Sequence, residues 1–245
     1  MSDLDIIIPV YNEGDNILSV LEALRSSVKT SYRVFICYDF DEDDTLPVVR
    51  DHDNYLVDIC LAKNELEGVH GAVLTGFEAS TAPAVLVLPA DDDYNAGIID
   101  QMFSLFMQGC EIVIASRFTK SSGIVDYPLL KGLLVRSASF TLYYLARVPT
   151  RDSTNGMRLF SRKVLDRIEI QSTEGFVYSI ELLVKCHRLS WHVGEVPAKW
   201  FERKAGRSRF RILDWVPAYL HWYIYAFATT YLRLSHVPLK SPEVP

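Results

Sequence analysis

Over its first 115 residues the chain alternates between short β-prone apolar runs and longer segments with helical spacing, and few folds accept that pattern. Asp5 to Val10 is a buried-strand run, and Ile17, Val20, Leu21, Leu24 and Val28 then recur at helical intervals. Tyr32 to Tyr38 reads as a second strand, closed by the polar run Asp39 to Asp44. A helix over 45–53 and a short strand near Leu56 to Leu61 follow. Gly68, Gly71 and Gly76 mark a loop and a helix start, and Ala84 to Leu88 is a strong strand running into Pro89-Ala90-Asp91-Asp92-Asp93. A helix over 97–108 and a strand from Glu111 to Ala115 complete the series. The expected fold class is α/β, a Rossmann-like, mostly parallel sheet flanked by helices.

In such sheets ligands sit beyond the carboxyl ends of the strands. The polar stretches Tyr11-Asn12-Glu13, Asp39 to Asp44 and Asp91 to Asp93 each follow a predicted strand, so they are expected to converge on one crevice. Asp91 and Asp93 can together reach one hard cation, Mg²⁺ or Mn²⁺, which takes oxygen ligands and leaves positions for a diphosphate. Taken alone, an acidic triplet equally suits a turn capping the helix that starts near Ala96 and Gly97. Its place after the apolar run Val85 to Leu88 favours the metal.

The formal charge of −6 is unevenly spread. Residues 1–150 hold 10 Lys/Arg and 22 Asp/Glu, and residues 151–245 hold 15 and 9. An acidic front is a poor nucleic-acid surface, because phosphate contacts need clustered cations, so no nucleic-acid partner is expected. The four cysteines (Cys37, Cys60, Cys110, Cys186) are widely spaced, which suits a reducing compartment rather than a disulfide framework. No basic stretch followed by an apolar run opens the sequence, and a cytoplasmic location is expected.

Several blocks carry a family resemblance. Ile6-Ile7-Ile8-Pro9-Val10-Tyr11-Asn12-Glu13 opens the chain, followed by Asp39, Gly68-Val69-His70-Gly71-Ala72 with Gly76-Phe77, and Ala90-Asp91-Asp92-Asp93. Then come Ile112 to Phe118, Asp152-Ser153-Thr154-Asn155-Gly156, Glu195-Val196-Pro197, and Arg203 with Gly206 and Ser208. That order, over roughly residues 4–212, resembles family 2 glycosyltransferases and, within them, the dolichol- or polyprenyl-phosphate sugar synthases. The resemblance implies a GT-A fold, a nucleotide-diphosphate sugar donor (GDP-mannose or a UDP-sugar), a polyprenyl phosphate acceptor and inversion at the anomeric carbon.

By matched position, Pro9, Tyr11, Glu13 and Asp39 would contact the nucleoside, and Asp91 and Asp93 would hold the metal. Arg117, Lys131, Arg136 and Arg203 would serve the donor diphosphate and the acceptor phosphate, Arg117 and Arg203 within the catalytic set. Gly71, Asp152 and Ser208 complete the implied substrate-binding set. One position departs from the family: Pro89 stands where the pattern has the first Asp of Asp-Ala-Asp. Either the metal site is rebuilt on Asp91 and Asp93, or donor choice differs, or the chain is a silent donor-binding relative.

A phosphate acceptor is already ionised near neutral pH, whereas a hydroxyl acceptor needs a base. Asp152, Glu174 and Glu181 are available for that; their bland readings are a helix cap for Asp152 and helix surface for the two glutamates. Trp215 to Leu232 holds 18 residues without Asp, Glu, Lys or Arg, rich in Trp and Tyr. This segment, bounded as 212–234, is expected to lie on a membrane surface or pack on a small membrane partner rather than span the bilayer. An ordinary buried helix or a dimer contact is the other reading. Residues 1–211 form the transferase domain in this scheme, and 235–245 read as a disordered tail.

Overall fold

The strands of this chain are apolar on both sides because helices cover both faces of the sheet, as parallel sheets require. The structure is a computed structural model and describes residues 2–51, 58–119, 122–125, 129–201 and 212–240. In chain order the elements are β1 (Leu4–Pro9), α1 (Gly14–Ser27), β2 (Tyr32–Tyr38), α2 (Thr45–Asp51), β3 (Asp58–Lys63), α3 (Gly68–Ala79) and β4 (Ala84–Val87). A 3₁₀ turn, Ala96–Ile98, leads into α4 (Ile99–Met107) and β5 (Ile112–Ser116). Then come β6 (Gly123–Val125), α5 (Leu129–Tyr144), β7 (Arg158–Ser161), α6 (Arg162–Arg167), α7 (Val177–Arg188), β8 (Val193–Pro197), β9 (Lys199–Phe201) and α8 (Ile212–Leu232).

Seven strands form one sheet in the order β3-β2-β1-β4-β7-β5-β8, and β6 pairs with β9 in a separate ribbon. All pairings in the large sheet are parallel except those of β7, which runs antiparallel between β4 and β5. Period-two alternation divides the strand residues between two cores. Ile6, Ile8, Val34, Ile36, Leu86 and Val113 face α1, α2 and α4. Ile7, Phe35, Val85, Val87, Ile114 and Phe160 face α3, α6, α7 and α8. The closest approach is at Gly76, where a Cβ would lie 2.6 Å from Ile7 Cγ2, so α3 sits directly on β1.

The predicted elements of the first half form among the described residues; positions 52–57, which include the expected end of the 45–53 helix and the start of the strand near Leu56, lie outside them. The stretch of glycines read as loop and helix start is helix from Gly68 onward, reached through Glu67 and Gly68 at φ 54° and 79°. Residues 212–234, set apart in the sequence reading, are joined to the rest: Trp222 and Ala226 are buried in the core shared with α7. Among the described residues no helix is long and apolar enough to cross a membrane. The expectation of a disordered tail needs correcting for residues 236–240. Val237 is buried, Leu239 bridges to Ile168, and Lys240 N–H donates to the Arg167 carbonyl at 2.9 Å. The reason is that these residues pair with the backbone at the end of α6, where Glu169 N–H also donates to the Pro238 carbonyl and Lys240 Nζ to the Leu165 carbonyl; residues 241–245 lie outside the described residues.

At the opposite end of β1 from the crevice, Asp5 ties three segments together. It is fully buried and accepts from Arg33 Nε (3.0 Å) and Nη2 (2.9 Å) on β2, and from the N–H groups of Thr81 (2.7 Å) and Ala82 (2.8 Å). Burial alone would raise its pKa, but the Arg33 fork and the two backbone donors outweigh it and hold the carboxyl below its ordinary value. A depressed pKa gives stability that is fully present above the unfolded value near 3.9 and lost as pH falls through the lower folded value. Asp5→Asn is expected to cost about 2–3 kcal/mol at neutral pH. In urea melts recorded as a function of pH, the variant should lose less stability than wild type as pH falls below about 4.

Candidate functional site

The carboxyl ends of β1, β2, β3, β4, β5 and β8 all open on one edge of the sheet, and the antiparallel β7 begins there with Arg158 opposite Val87 and Ile114. Hydrogen bonds sew the loops of this edge together in pairs. The loop after β1 meets the loop after β2: Asn12 N–H donates to Asp43 Oδ2 (3.0 Å), Glu13 N–H to Thr45 Oγ1 (2.9 Å) and Gly14 N–H to Asp44 Oδ1 (2.8 Å). Asp39 in turn accepts from Asn64 Nδ2 (2.7 Å) and Gly68 N–H (2.8 Å), holding the entry to α3. Tyr11 is 44% exposed and sets its ring edge-on to Phe40, with centroids 5.1 Å apart. Pro9, Tyr11, Glu13 and Asp39 are thus brought to one end of the crevice, as expected from sequence. Gly71 is there for packing: a Cβ would lie 2.7 Å from Asn64 Oδ1 and Leu66 Cβ.

The acidic triplet follows β4 in the middle of this edge, and its three carboxylates have different surroundings. Asp92 is committed to structure, since both its oxygens accept from Asn95 Nδ2, at 2.8 and 2.9 Å. Asn95 also exchanges two hydrogen bonds with the backbone of Lys199 at β9. Burial, helped by the charges of Asp91 and Asp93, pushes the Asp92 carboxyl up to about 6 despite the hydrogen bonds from Asn95. Asp93 Oδ1 is buried without a hydrogen-bond partner. A buried, unpartnered carboxylate oxygen among repelling carboxylates has the donor chemistry of a hard-cation ligand. Among the described residues no three His, Cys, Asp or Glu side chains gather as a complete ligand set. An ion here would therefore draw its remaining ligands from a bound diphosphate and water.

Past β5 the crevice is braced by buried charges. Asp152 is fully buried and accepts from Arg117 backbone N–H (2.9 Å), Nε (2.7 Å) and Nη2 (2.8 Å). Arg117 Nη2 also donates to Thr154 Oγ1 at 2.7 Å. Burial opposes the charged form of Asp152, but the Arg117 charge and its hydrogen bonds, with Arg158 behind, win and hold the pKa down. Arg158, also fully buried, donates Nε to the Asn155 carbonyl and Nη2 to the Ser153 carbonyl, both at 2.7 Å, and Nη1 to the Ser179 carbonyl. Desolvation lowers its pKa to about 10.

Two expectations change here. Asp152 caps no helix, because Arg117 and the turn it spans occupy both its oxygens. Arg117, expected at a phosphate, donates Nε and Nη2 to Asp152 and Nη2 to Thr154 and so braces the end of β5. Glu181 is not helix surface either: it is fully buried, 2.6 Å from Lys185 Nζ, and accepts from the N–H groups of Gln171 and Ser172. Those partners occupy it, which argues against a base role. Arg136 is exposed on α5 with no ion pair among the described residues. The side chain of Lys131 and all of Arg203 and Ser208 lie outside the described residues. Asn64, Asn95 and Arg158 were not foreseen. Asn64 and Asn95 had a faint signal, as amides one residue beyond β3 and two residues beyond the acidic triplet.

The comparisons with known proteins now bear on a described edge. Residues 5–169 match the family described as Glycosyl transferase family 2. The chain belongs to that family. Among curated relatives, the putative glycosyltransferase CsbB of Bacillus subtilis (strain 168) is 29% identical over 189 residues, 72% of this chain and 53% of that protein. The dolichol-phosphate mannosyltransferase of Pyrococcus furiosus is 22% identical over 211 residues, 85% of this chain and 59% of the relative. The dolichyl-phosphate hexose transferase of Haloferax volcanii is 28% identical over 209 residues, 84% and 86% of the two chains. The chain therefore spans only a little over half the length of the first two.

Among solved structures, glucosyl-3-phosphoglycerate synthase from Mycobacterium tuberculosis, in complex with Mn²⁺, UDP and glucosyl-3-phosphoglycerate, has a TM-score of 0.65. It is 16% identical, and the match covers 94% of this chain and 80% of that one. The same enzyme with Mg²⁺ and UDP gives a TM-score of 0.64. At that identity the likeness is one of fold, and the fold of this family 2 chain is the GT-A arrangement.

Asp152→Asn leaves Arg117 and Arg158 as two buried cations around a neutral amide, and removing one partner of a buried pair typically costs about 3–5 kcal/mol. The expected outcome is a large drop in denaturation midpoint. Thr154→Val, which removes one hydroxyl beside the pair, should cost about 1 kcal/mol by the same measurement.

Proposed function

We propose that this chain transfers a sugar, with inversion, from a nucleotide-diphosphate sugar to a polyprenyl phosphate of the dolichyl type, with Mg²⁺ or Mn²⁺ at Asp91 and Asp93. The carrying observation is the buried, unpartnered Asp93 Oδ1 beside Asp91 at the end of β4, in a chain of this family. The change from the family's first Asp to Pro89 is compatible with this, because Asp93 supplies a second carboxylate one residue beyond the triplet's centre. When bound, the ion would offset the charge building on the departing nucleoside diphosphate.

The chain's own groups do the rest. Tyr11 on Phe40 offers a ring face or edge to the donor base, and Pro9, Glu13 and Asp39 shape that end of the crevice. The Arg117–Asp152–Arg158 cluster ties the end of β5 to the loop leading into β7 and carries a net positive charge. In the transfer, an acceptor phosphate oxygen forms the bond to the anomeric carbon as the bond to the donor diphosphate breaks. No proton has to be removed from an acceptor that is already ionised. A phosphate acceptor is supported by the names of two relatives and by the basic second half of the chain. A polyprenyl acceptor is presented at a bilayer, so the working position we propose is peripheral, on the cytoplasmic face of a membrane or on a small membrane partner.

A thermal-shift series with GDP-mannose and UDP-sugars, with and without Mn²⁺, tests the donor side. One nucleotide is expected to stabilise wild type only with the ion. Asp93→Asn should keep the wild-type melting temperature without ligand, lose that shift, and lower transfer by at least about a hundredfold. Transfer from the stabilising donor is then measured onto a polyprenyl phosphate and onto free saccharides. Product on saccharides alone would replace the lipid acceptor with a hydroxyl one. Donor binding without any product would leave a silent nucleotide-sugar module.

A further inference from the structure

α5 and α8 lie against each other and carry apolar stripes on their outer sides. On α5, Leu133, Phe140 and Tyr144 recur at helical spacing and are 64%, 59% and 61% exposed. On α8, Leu220, Ile224 and Tyr231 do the same, at 50%, 58% and 64%. The stripes belong to one surface because hydrogen bonds join the helices beside them. Tyr223 OH donates to Thr141 Oγ1 at 2.7 Å, and Tyr231 OH donates to the Leu145 carbonyl at 3.0 Å. The inner sides are committed to the core through Ser139, Leu142, Trp222 and Ala226.

Charge says what covers this surface. Residues 129–151 contain four Lys/Arg and no Asp or Glu, and residues 215–240 contain two and none, within a chain that is acidic as a whole. Arg147 and Arg233, at the C-terminal ends of the two helices, are exposed and form no ion pair among the described residues. A protein partner of ordinary composition calls for no such exclusion of acid over two separate segments. Exposed Leu, Ile, Phe and Tyr accompanied by the exposed Arg136, Arg147 and Arg233 match the boundary between acyl chains and anionic headgroups.

We propose that the outer faces of α5 and α8 form one platform that docks this chain onto anionic lipid, with Arg147 and Arg233 reading the headgroup charge. The platform is tied to the crevice. Tyr219, one residue before Leu220 and turned inward, lies within electrostatic reach of Arg158 and Arg117, which pull its phenol down while burial raises it to about 12. α8 thus joins the platform to the core that holds Ile114 of β5 and Phe160 of β7, the end of the site where a lipid-borne phosphate has to arrive. This rests on the membrane part of the proposed function and adds the surface and its lipid preference.

The test is flotation of the full chain with vesicles of phosphatidylcholine alone and with about 30 mol% phosphatidylglycerol. The anionic vesicles are expected to retain the protein, and retention should weaken as salt rises from about 0.1 to about 0.5 M. The double variant Arg147→Glu/Arg233→Glu should lower anionic-vesicle affinity by at least about tenfold. Phe140→Asp with Ile224→Asp should abolish retention while leaving the circular dichroism melt unchanged. A water-soluble short-chain acceptor phosphate separates this from the transfer reaction. Both variants should turn it over at the wild-type rate if the chain is the transferase proposed, and the vesicle result stands even if it proves to be a silent module. Equal retention by neutral vesicles, no retention by either, or full retention of the Phe140/Ile224 variant would overturn the platform. So would a wild-type dimer that the Phe140/Ile224 variant converts to monomer, since the occupant would then be a second copy.

Discussion

The crevice depends on one carboxylate that cannot be solvated. Asp152 is enclosed between Arg117 from the end of β5 and Arg158 from the start of β7. Its ionised form ties the end of β5 to the loop that leads into the antiparallel β7. A buried carboxylate survives only with matched charge and filled hydrogen bonds. Asp152 has both, through three donors of Arg117 and the N–H groups of Thr154 and Asn155. The cluster retains one positive charge beyond neutrality, an excess that lies behind the crevice rather than in it.

From that brace the acidic side can remain unbalanced. The triplet after β4 spends Asp92 on Asn95 and thereby fixes the loop to Lys199, while Asp93 keeps one oxygen without a protein partner. Support for Asp92 fixes the loop in which the unpartnered oxygen of Asp93 lies. The same division appears across the edge. Asp43 and Asp44 knit loops, and Tyr11 remains 44% exposed on a supported ring. Several acidic residues, among them Asp5, Asp39, Asp43, Asp44 and Asp152, accept from backbone N–H groups and so hold loops in place.

Much of the candidate site was legible because strand ends are local events. An apolar run followed by polar residues announces where a strand stops, and Pro9, Tyr11, Glu13, Asp39, Asp91 and Asp93 all followed such runs. The ion pair that Arg117 makes was not legible, because its partner Asp152 lies 35 residues away in a loop with no periodicity. Glu181 and Lys185 are spaced i, i+4, a pattern that usually marks a solvated helix face. Here α8 covers them, and Trp222 sits 4.9 Å from the Lys185 ammonium, so a surface pattern became a buried pair. No local signal reports what will cover a helix.

The amino-acid sequence by itself determined the alternating α/β order, the strand ends that carry the acidic residues, the acidic front and basic back, and the family blocks. These follow from spacing and composition, which act over a few residues. Tertiary structure alone decided the insertion of β7, the conversion of Arg117 and Asp152 into a brace, the burial of Glu181, and the meeting of the outer stripes of α5 and α8. Each of these depends on which distant segment excludes water from a given side chain. Desolvation is a property of the packed molecule and is not written in any window of its sequence.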